Sequence, residues 1–255
     1  MYTKSELMND MQKLGLVASD TILVHSSLKS VGEVENGADG VLDAFCEYLS
    51  SGLLVMPGHT WSYINAENPM FDLLESPTCV GVLTELFRKR KDVYRSLHPT
   101  HSLLAYGHGA KQFVIGQEQF ATPCAPDSCY GMLEKMDGKV VLVGVDFSRC
   151  TLVHCVEEVA KITGRLTDTQ EQLSIKKEDG EIIAVPSYRH QNANSSYYVK
   201  LQPVLEDRNV LIKGKLGDAD VLVCKMKDLF RICLELLKKN PRLFDDDASI
   251  PNVWF

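Results

Sequence analysis

The sequence predicts an α/β fold with a central mixed, largely parallel β-sheet flanked by helices and an inserted β-hairpin. Three observations predict it. Short apolar runs typical of buried strands alternate with segments whose apolar residues recur at helical spacing. One run, residues 139–160, passes directly from a strand pattern through a polar turn into a helix pattern. A strong hairpin turn occupies residues 177–180. Because no linker or repeat interrupts the chain, we expect a single domain over residues 1–255.

The first half of the chain is predicted to alternate helices with strands. Apolar residues of the segment 3–15 recur at helical spacing behind an N-cap at Thr3 or Ser5, and Gly15 is a typical helix stop. The same patterns predict the other elements of this half, which are helices at 37–50, 78–90 and 110–118 and strands at 21–24, 52–56 and 103–106.

The second half begins with a short helix at 130–136 and a buried strand at 140–145 that only Gly144 interrupts. The hairpin strands follow at 173–176 and 181–185. A polar stretch predicts a loop, and later patterns predict the remaining elements, which are the loop at 187–196, a strand at 210–213 and an amphipathic helix at 225–239.

Composition excludes several classes of protein. The formal net charge is −7, and the one basic cluster at residues 88–91 is too small to favour nucleic acid as a partner. No apolar run approaches the roughly 20 residues that cross a bilayer, and the first residues lack the apolar core of a signal peptide, so we expect a cytoplasmic protein. The 8 cysteines form no CxxC pair and are expected to be reduced thiols.

The segment 139–160 carries the best candidates for chemistry. Thr151 lies in the polar turn after its strand, and His154 and Glu157 follow near the start of its helix. The two are three residues apart, so they share one helical face and can meet. Glu157 could instead be a solvent-facing helix residue, and Glu158 competes with it for this role. A carboxylate beside an imidazole fixes its tautomer, and a His at the carboxyl edge of a sheet is well placed as a general base.

Polar residues also follow the first predicted strand. Hydroxyl and small residues in that loop suit backbone binding of an anion, and they include His25, Ser26, Ser27 and Ser30. The usual motifs of serine hydrolases, dinucleotide-binding enzymes, P-loop proteins and zinc peptidases are absent from the sequence. His98 and His101 flank a proline, lack a third ligand and do not predict a metal site.

Five segments together resemble the antibiotic N-acetyltransferase family, which includes the aminoglycoside N3-acetyltransferases. They occur in the family's order at 23–32, 53–63, 95–107, 139–160 and 212–221. The resemblance implies the aminoglycoside N3-acetyltransferase-like fold and direct transfer of an acetyl group from acetyl-CoA to a small-molecule amine, without a metal. The acceptor would be an aminoglycoside or another amine, since residues 59–77 and 165–200 show no acidic cluster that fits a polyamine.

The same resemblance assigns roles to residues. It implies that His154 is the general base, that Glu157 orients it and that Thr151 lies beside the thioester. It also implies a set of cofactor-binding residues, which are His25, Ser26, Ser27, Ser30, Arg95 and Ser102.

Two other functions stay open at this point. The first is a non-catalytic CoA- or ligand-binding protein on the same scaffold, because a fold does not fix a function. The second is a Cys-dependent amide hydrolase that uses Cys155 or Cys129 with a histidine. Cys155 and His154 are neighbours on a helix and point about 100° apart, which makes that dyad geometrically poor. A homodimer is also left open.

Overall fold

The computed structural model describes residues 1–192 and 194–254. Within these residues it contains ten β-strands, which are β1 (Thr21–Ser26), β2 (Leu53–Pro57), β3 (Met70–Asp72), β4 (Tyr94–Arg95), β5 (Leu103–Gly107), β6 (Lys139–Val143), β7 (Ser174–Lys176), β8 (Ile182–Ala184), β9 (Leu211–Leu216) and β10 (Ala219–Lys225). The same residues form eight α-helices, which are α1 (Lys4–Lys13), α2 (Gly37–Tyr48), α3 (Val82–Arg88), α4 (Ala110–Phe113), α5 (Cys129–Lys135), α6 (Leu152–Val159), α7 (Leu201–Asp207) and α8 (Met226–Lys239).

The main sheet has seven strands in the order β4-β5-β2-β1-β6-β10-β9. Strand β1 pairs in parallel with β2 on one side and with β6 on the other. The outer pairings are antiparallel. The predicted mixed sheet is therefore confirmed, but the expectation that it is largely parallel is wrong. Only two of its six pairings are parallel, and they join the three central strands, whose carboxyl ends meet at one edge.

Helices cover both faces of this sheet, as predicted. One buried apolar cluster lies under α5, α6, α7 and α8, and another lies under α1, α2 and α3. Helix α1 begins at a capping box in which Thr3 accepts from the Glu6 backbone N–H and Glu6 accepts from the Thr3 N–H. This confirms Thr3, and not Ser5, as the N-cap.

The predicted hairpin is also confirmed. Strands β7 and β8 pair antiparallel around the turn at 177–180, and β3 adds in parallel to give a second, three-stranded sheet. This small sheet covers its own apolar cluster, in which Phe71 and Ile175 are fully buried. The prediction of a single domain stays a prediction.

Glycine fixes the route of the chain beyond β6. Gly144 has a φ of +62°, and a Cβ there would lie 2.3 Å from the Cβ of Ser30. Only a residue without a side chain allows this approach. As a result, the turn after β1 and the turn after β6 lie against each other at the same edge of the sheet.

Several elements differ from the sequence-based prediction. The helix predicted at 110–118 ends at Phe113, and Gly116 (φ +76°) separates it from a short 3₁₀ turn. The helix predicted at 78–90 begins only at Val82, after Gly81 with a φ of +123°. In both places a left-handed glycine interrupts an otherwise helical pattern.

Some elements were not predicted at all. Strand β10 is hidden in the sequence because it follows β9 after a two-residue turn at Gly217, and it then pairs with β6. The loop predicted at 187–196 continues into a 3₁₀ helix, Ser195–Lys200, and then into α7. Ala193 of that loop lies outside the described residues.

No helix in the described part of the chain combines the length and the apolar character needed to cross a bilayer.

Candidate active site

A cleft of about 570 Å³ lies at the edge where the three central strands end. Its size is typical of small-molecule sites. His25 and Ser26 enter it from the end of β1, Pro57 from the end of β2, and Thr151 and His154 from the start of α6. The sheet topology thus brings together residues that are far apart in the sequence, as open α/β sheets do at this edge.

His154 and Glu157 meet as predicted, and the hydroxyl of a third residue, Tyr198, contacts both of them. The His154 Nδ1 lies 3.3 Å from a carboxylate oxygen of Glu157 and 2.8 Å from the hydroxyl of Tyr198. The Tyr198 hydroxyl donates to that same Glu157 oxygen at 2.7 Å. The three polar atoms form a closed triangle, so the histidine is held by a tyrosine and a carboxylate at once.

This triangle fixes the tautomer of His154. The single hydroxyl proton of Tyr198 goes to Glu157, so the tyrosine oxygen can only accept from the imidazole. The proton of the neutral ring is therefore on Nδ1, and the lone pair is on Nε2. His154 is partly exposed to the cleft, with 15% of its side chain accessible. The arrangement suits a base whose Nε2 takes a proton.

The carboxylate of Glu157 is buried and paired on its other oxygen. Arg165 donates to that oxygen at 2.7 Å and also bonds Asp245 at 2.6 Å. Burial alone would raise the pKa of Glu157, but the hydrogen bonds from His154 and Tyr198 and the charge of Arg165 hold it below its ordinary value. Glu157 is therefore an anion that can support positive charge on the imidazole.

Histidines surround this cleft. His59 and His101 line it with ring centroids 4.8 Å apart, and His101 lies edge-on to His190 at 5.3 Å. Burial lowers the pKa of all three rings well below the ordinary value. Burial also lowers the pKa of His25 to about 4, so these rings are neutral near pH 7.

The predicted cofactor-binding residues divide into two groups. His25 and Ser26 line the cleft, and Ser27 and Ser30 lie in the following turn, where the Ser30 hydroxyl donates to that of Ser27 at 3.0 Å. These four residues lie together at the end of β1. The turn belongs to the same edge of the sheet as His154.

Arg95 and Ser102 are not brought to the cleft. Arg95 is buried and donates to the hydroxyl of Ser102 at 3.0 Å and to the backbone carbonyls of Ser76 and Gly58 at 2.6 and 2.7 Å. Ser102 is fully buried and donates to the carbonyl of Gly58 at 2.6 Å. The guanidinium thus holds loop backbone in place, and we leave both residues out of the proposed site.

Sequence reasoning missed Tyr198 and His190. His190 lies in the segment 187–196, whose polar composition predicted only a loop, and Tyr198 lies just beyond it in the 3₁₀ helix Ser195–Lys200. Nothing in the local pattern marks either side chain, because their partners on α6 are more than thirty residues away in the sequence.

The two cysteines considered as alternative nucleophiles are poorly placed for that role. Cys155 and Cys129 are buried, and burial raises the pKa of both thiols.

One cluster offers ligand types that suit a metal ion. Cys124, Glu158 and His190 place one ligand atom each within 4.8 Å of one another. His190 Nε2 already lies 2.9 Å from Glu158, and the backbone N–H of Cys124 donates to the same oxygen at 2.9 Å. These hydrogen bonds account for the cluster without an ion.

Comparison with known proteins identifies the family. Residues 23–238 match the family model described as aminoglycoside 3-N-acetyltransferase. The chain belongs to the aminoglycoside 3-N-acetyltransferase family. It is 28% identical over 246 residues to aminoglycoside N(3)-acetyltransferase IV of Salmonella, which covers 95% of this chain and 90% of the relative.

Solved structures of this acetyltransferase family share the fold. A mutant of aminoglycoside acetyltransferase AAC(3)-IVa in complex with a gentamicin superposes with a TM-score of 0.84 at 27% identity, over 95% of this chain and 91% of that chain. AAC-IIIb bound to CoASH superposes with a TM-score of 0.83 over 98% of both chains. At 21% identity, that second likeness supports the fold alone.

Proposed function

We propose that the protein transfers the acetyl group of acetyl-CoA directly to an amine, with His154 as general base. The acceptor would be an aminoglycoside or a related amino-bearing small molecule, as the names of the relatives indicate. The observation that carries the proposal is the triangle of His154, Tyr198 and Glu157 at the rim of the cleft.

The geometry supports this chemistry step by step. An ammonium group has no lone pair, so a proton must leave before the nitrogen can attack a thioester. The lone pair on His154 Nε2 would take that proton. Positive charge would then develop on the ring, and Glu157 would stabilise it through Nδ1 and through Tyr198. Thr151, one turn earlier in the same cleft, is our candidate for steadying the tetrahedral oxyanion. Collapse of that intermediate would break the C–S bond and expel the CoA thiolate, which would take the proton held on His154 Nε2 and leave as the thiol.

The loop after β1 is our candidate for binding the acetyl-CoA. His25 and Ser26 line the cleft, and Ser27 and Ser30 follow them in the turn. Arg149 also lines the cleft, and its exposed guanidinium has the charge that CoA phosphates require. Holding both reactants in one cleft supplies the remaining rate enhancement through proximity.

The experiment that tests the function is release of CoA thiol from acetyl-CoA across a panel of aminoglycosides and simple amines. We expect thiol release that depends on one class of amine, and a product heavier than that amine by one acetyl group. A CoA-binding protein without activity would bind CoA but release no thiol with any amine. A Cys-dependent hydrolase would act without CoA and be blocked by iodoacetamide.

The cytoplasmic location and the homodimer both stay predictions. Dependence on acetyl-CoA and eight free thiols favour the cytoplasm. A homodimer would be tested by the mass of the protein in solution.

A further inference from the structure

A second imidazole lies against the face of His154. The rings of His154 and His190 stack with their centroids 4.2 Å apart and their planes at 22°. His190 lines the cleft, and only 10% of its side chain is exposed. The contact covers one face of the His154 ring, while Tyr198 approaches its edge at 76°.

His190 has its own carboxylate, and it comes from the same helix as the partner of His154. Glu158 directly follows Glu157 on α6, and it lies 2.9 Å from His190 Nε2. The backbone N–H of Cys124 donates to the same Glu158 oxygen, and only 5% of the Glu158 side chain is exposed. Adjacent carboxylates on one helix therefore hold two stacked histidines.

The hydrogen bonds define the state of His190. A carboxylate oxygen accepts only, so the ring donates from Nε2 and its lone pair is on Nδ1. That Nδ1 is buried and has no hydrogen-bond partner within residues 1–192 and 194–254. Burial keeps the pKa of His190 well below its ordinary value, so the ring is neutral.

We propose that His190, held by Glu158, is a positioning residue that fixes the plane of the His154 ring and stabilises the imidazolium formed during acetyl transfer. The inference rests on the proposed function of His154. A neutral aromatic ring face attracts a cation within about 6 Å, and the Glu158 carboxylate behind it adds a favourable charge.

Other groups around the two rings add little charge. The titratable side chains that face them from neighbouring elements are His59, His98, His101, Cys124, Glu157 and Tyr198. Burial holds His59, His98, His101, Cys124 and Tyr198 in their neutral forms near pH 7. Burial raises the pKa of Glu158, and the hydrogen bond from the Cys124 backbone N–H opposes that rise. Glu157, which Arg165 pairs on its other oxygen, and Glu158 are the two carboxylates in a position to respond when His154 gains a proton.

The test compares His190→Ala, His190→Phe and Glu158→Gln in the thiol-release assay. We expect His190→Ala to lower kcat by about 10- to 100-fold, because a misplaced base costs this much, with KM for acetyl-CoA changed less than about twofold. Phenylalanine retains a stacked ring and should restore part of the rate. Glu158→Gln removes a negative charge, so the acid limb of the pH–rate profile should move down by about half a pH unit.

Cys124→Ser is the matched control, because it keeps the backbone N–H that bonds Glu158 and changes only the thiol. It should retain wild-type kcat; a loss as large as that of His190→Ala would indicate that the cluster acts as a metal site and would overturn the proposal. Wild-type kcat and an unmoved acid limb in folded His190→Ala, His190→Phe and Glu158→Gln would also overturn it. If wild type acetylates no amine, or His154→Ala stays active, the proposed function itself is wrong.

Discussion

The hydroxyl of Tyr198 donates to the carboxylate of Glu157 at 2.7 Å. This contact links α6, which carries Glu157, to the 3₁₀ helix Ser195–Lys200, more than thirty residues further along the chain. It leaves the tyrosine oxygen free to accept from His154 at 2.8 Å. The relation explains why the imidazole must carry its proton on Nδ1.

Replacing Tyr198 with phenylalanine tests that relation. The variant keeps the buried ring and loses only the hydroxyl, so His154 would be held by the 3.3 Å contact with Glu157 alone. One hydrogen bond contributes about 1 kcal/mol, and we therefore expect kcat to fall by roughly 5- to 10-fold. Steady-state kinetics of thiol release would measure this. An unchanged kcat would show that the hydroxyl plays no part in orienting the base.

Replacing Glu157 with glutamine should have a larger effect. Both carboxylate oxygens accept hydrogen bonds from donors on His154, Tyr198 and Arg165. A glutamine has only one acceptor oxygen, so its NH₂ group would face one of these donors and could not accept from it. We expect kcat to fall by roughly 100-fold or more, as when a histidine loses the carboxylate that sets its tautomer.

The same variant should also be less stable. Breaking a buried ion pair with Arg165 costs about 3 kcal/mol of unfolding free energy, which urea denaturation would measure. Glu235→Gln, at an exposed pair with Arg231, is the control and should change stability by less than about 1 kcal/mol. Equal effects of the two substitutions would contradict the assignment of Glu157.

Replacing Cys155 with alanine tests the hydrolase alternative. The thiol is fully buried on α6 and burial raises its pKa, so it is poorly suited to act as a nucleophile. We expect kcat within about twofold of wild type and a loss of about 1 kcal/mol in stability from the small cavity. Abolished activity in a folded Cys155→Ala protein would favour a cysteine mechanism.

The buried histidines predict acid sensitivity of the fold. Burial lowers the pKa of His98 from 6.5 to about 4. The unfolded chain takes up the proton first, so the stabilisation is complete above pH 6.5 and is lost as the pH falls from 6.5 towards 4. A shift of this size corresponds to roughly 3 kcal/mol for the one residue.

His98→Gln should therefore flatten the dependence of unfolding free energy on pH between 6.5 and 4, as measured by urea denaturation across that range. His108→Gln is the control, since that side chain is exposed on the surface. If the two variants show the same pH dependence as wild type, His98 is not the source of the acid sensitivity.

Apolar periodicity was enough to predict the central strands and most of the helices, because burial on a sheet face or helix face leaves a local pattern. The turn residues at 177–180 predicted the hairpin. It failed where a glycine in the left-handed region interrupts a helix, as at Gly116, and where β10 follows β9 after a tight turn. These features depend on the backbone geometry of a few residues.

The site also contains some contacts that leave a local sequence pattern and others that do not. His154 and Glu157 are three residues apart on one helix, so their contact could be predicted from spacing. Tyr198 and His190 reach α6 through tertiary packing and leave no local signal. Arg95 and Ser102 lie in a segment that matches the family, but their side chains serve the loop backbone and do not reach the cleft.

The measurement that tests the account most directly is single-turnover acetyl transfer by wild type and His154→Ala, together with calorimetric binding of CoA to both. The account predicts that His154→Ala slows transfer by roughly 100- to 10,000-fold while its Kd for CoA stays within about threefold of wild type. Transfer at the wild-type rate by a folded His154→Ala protein would contradict it.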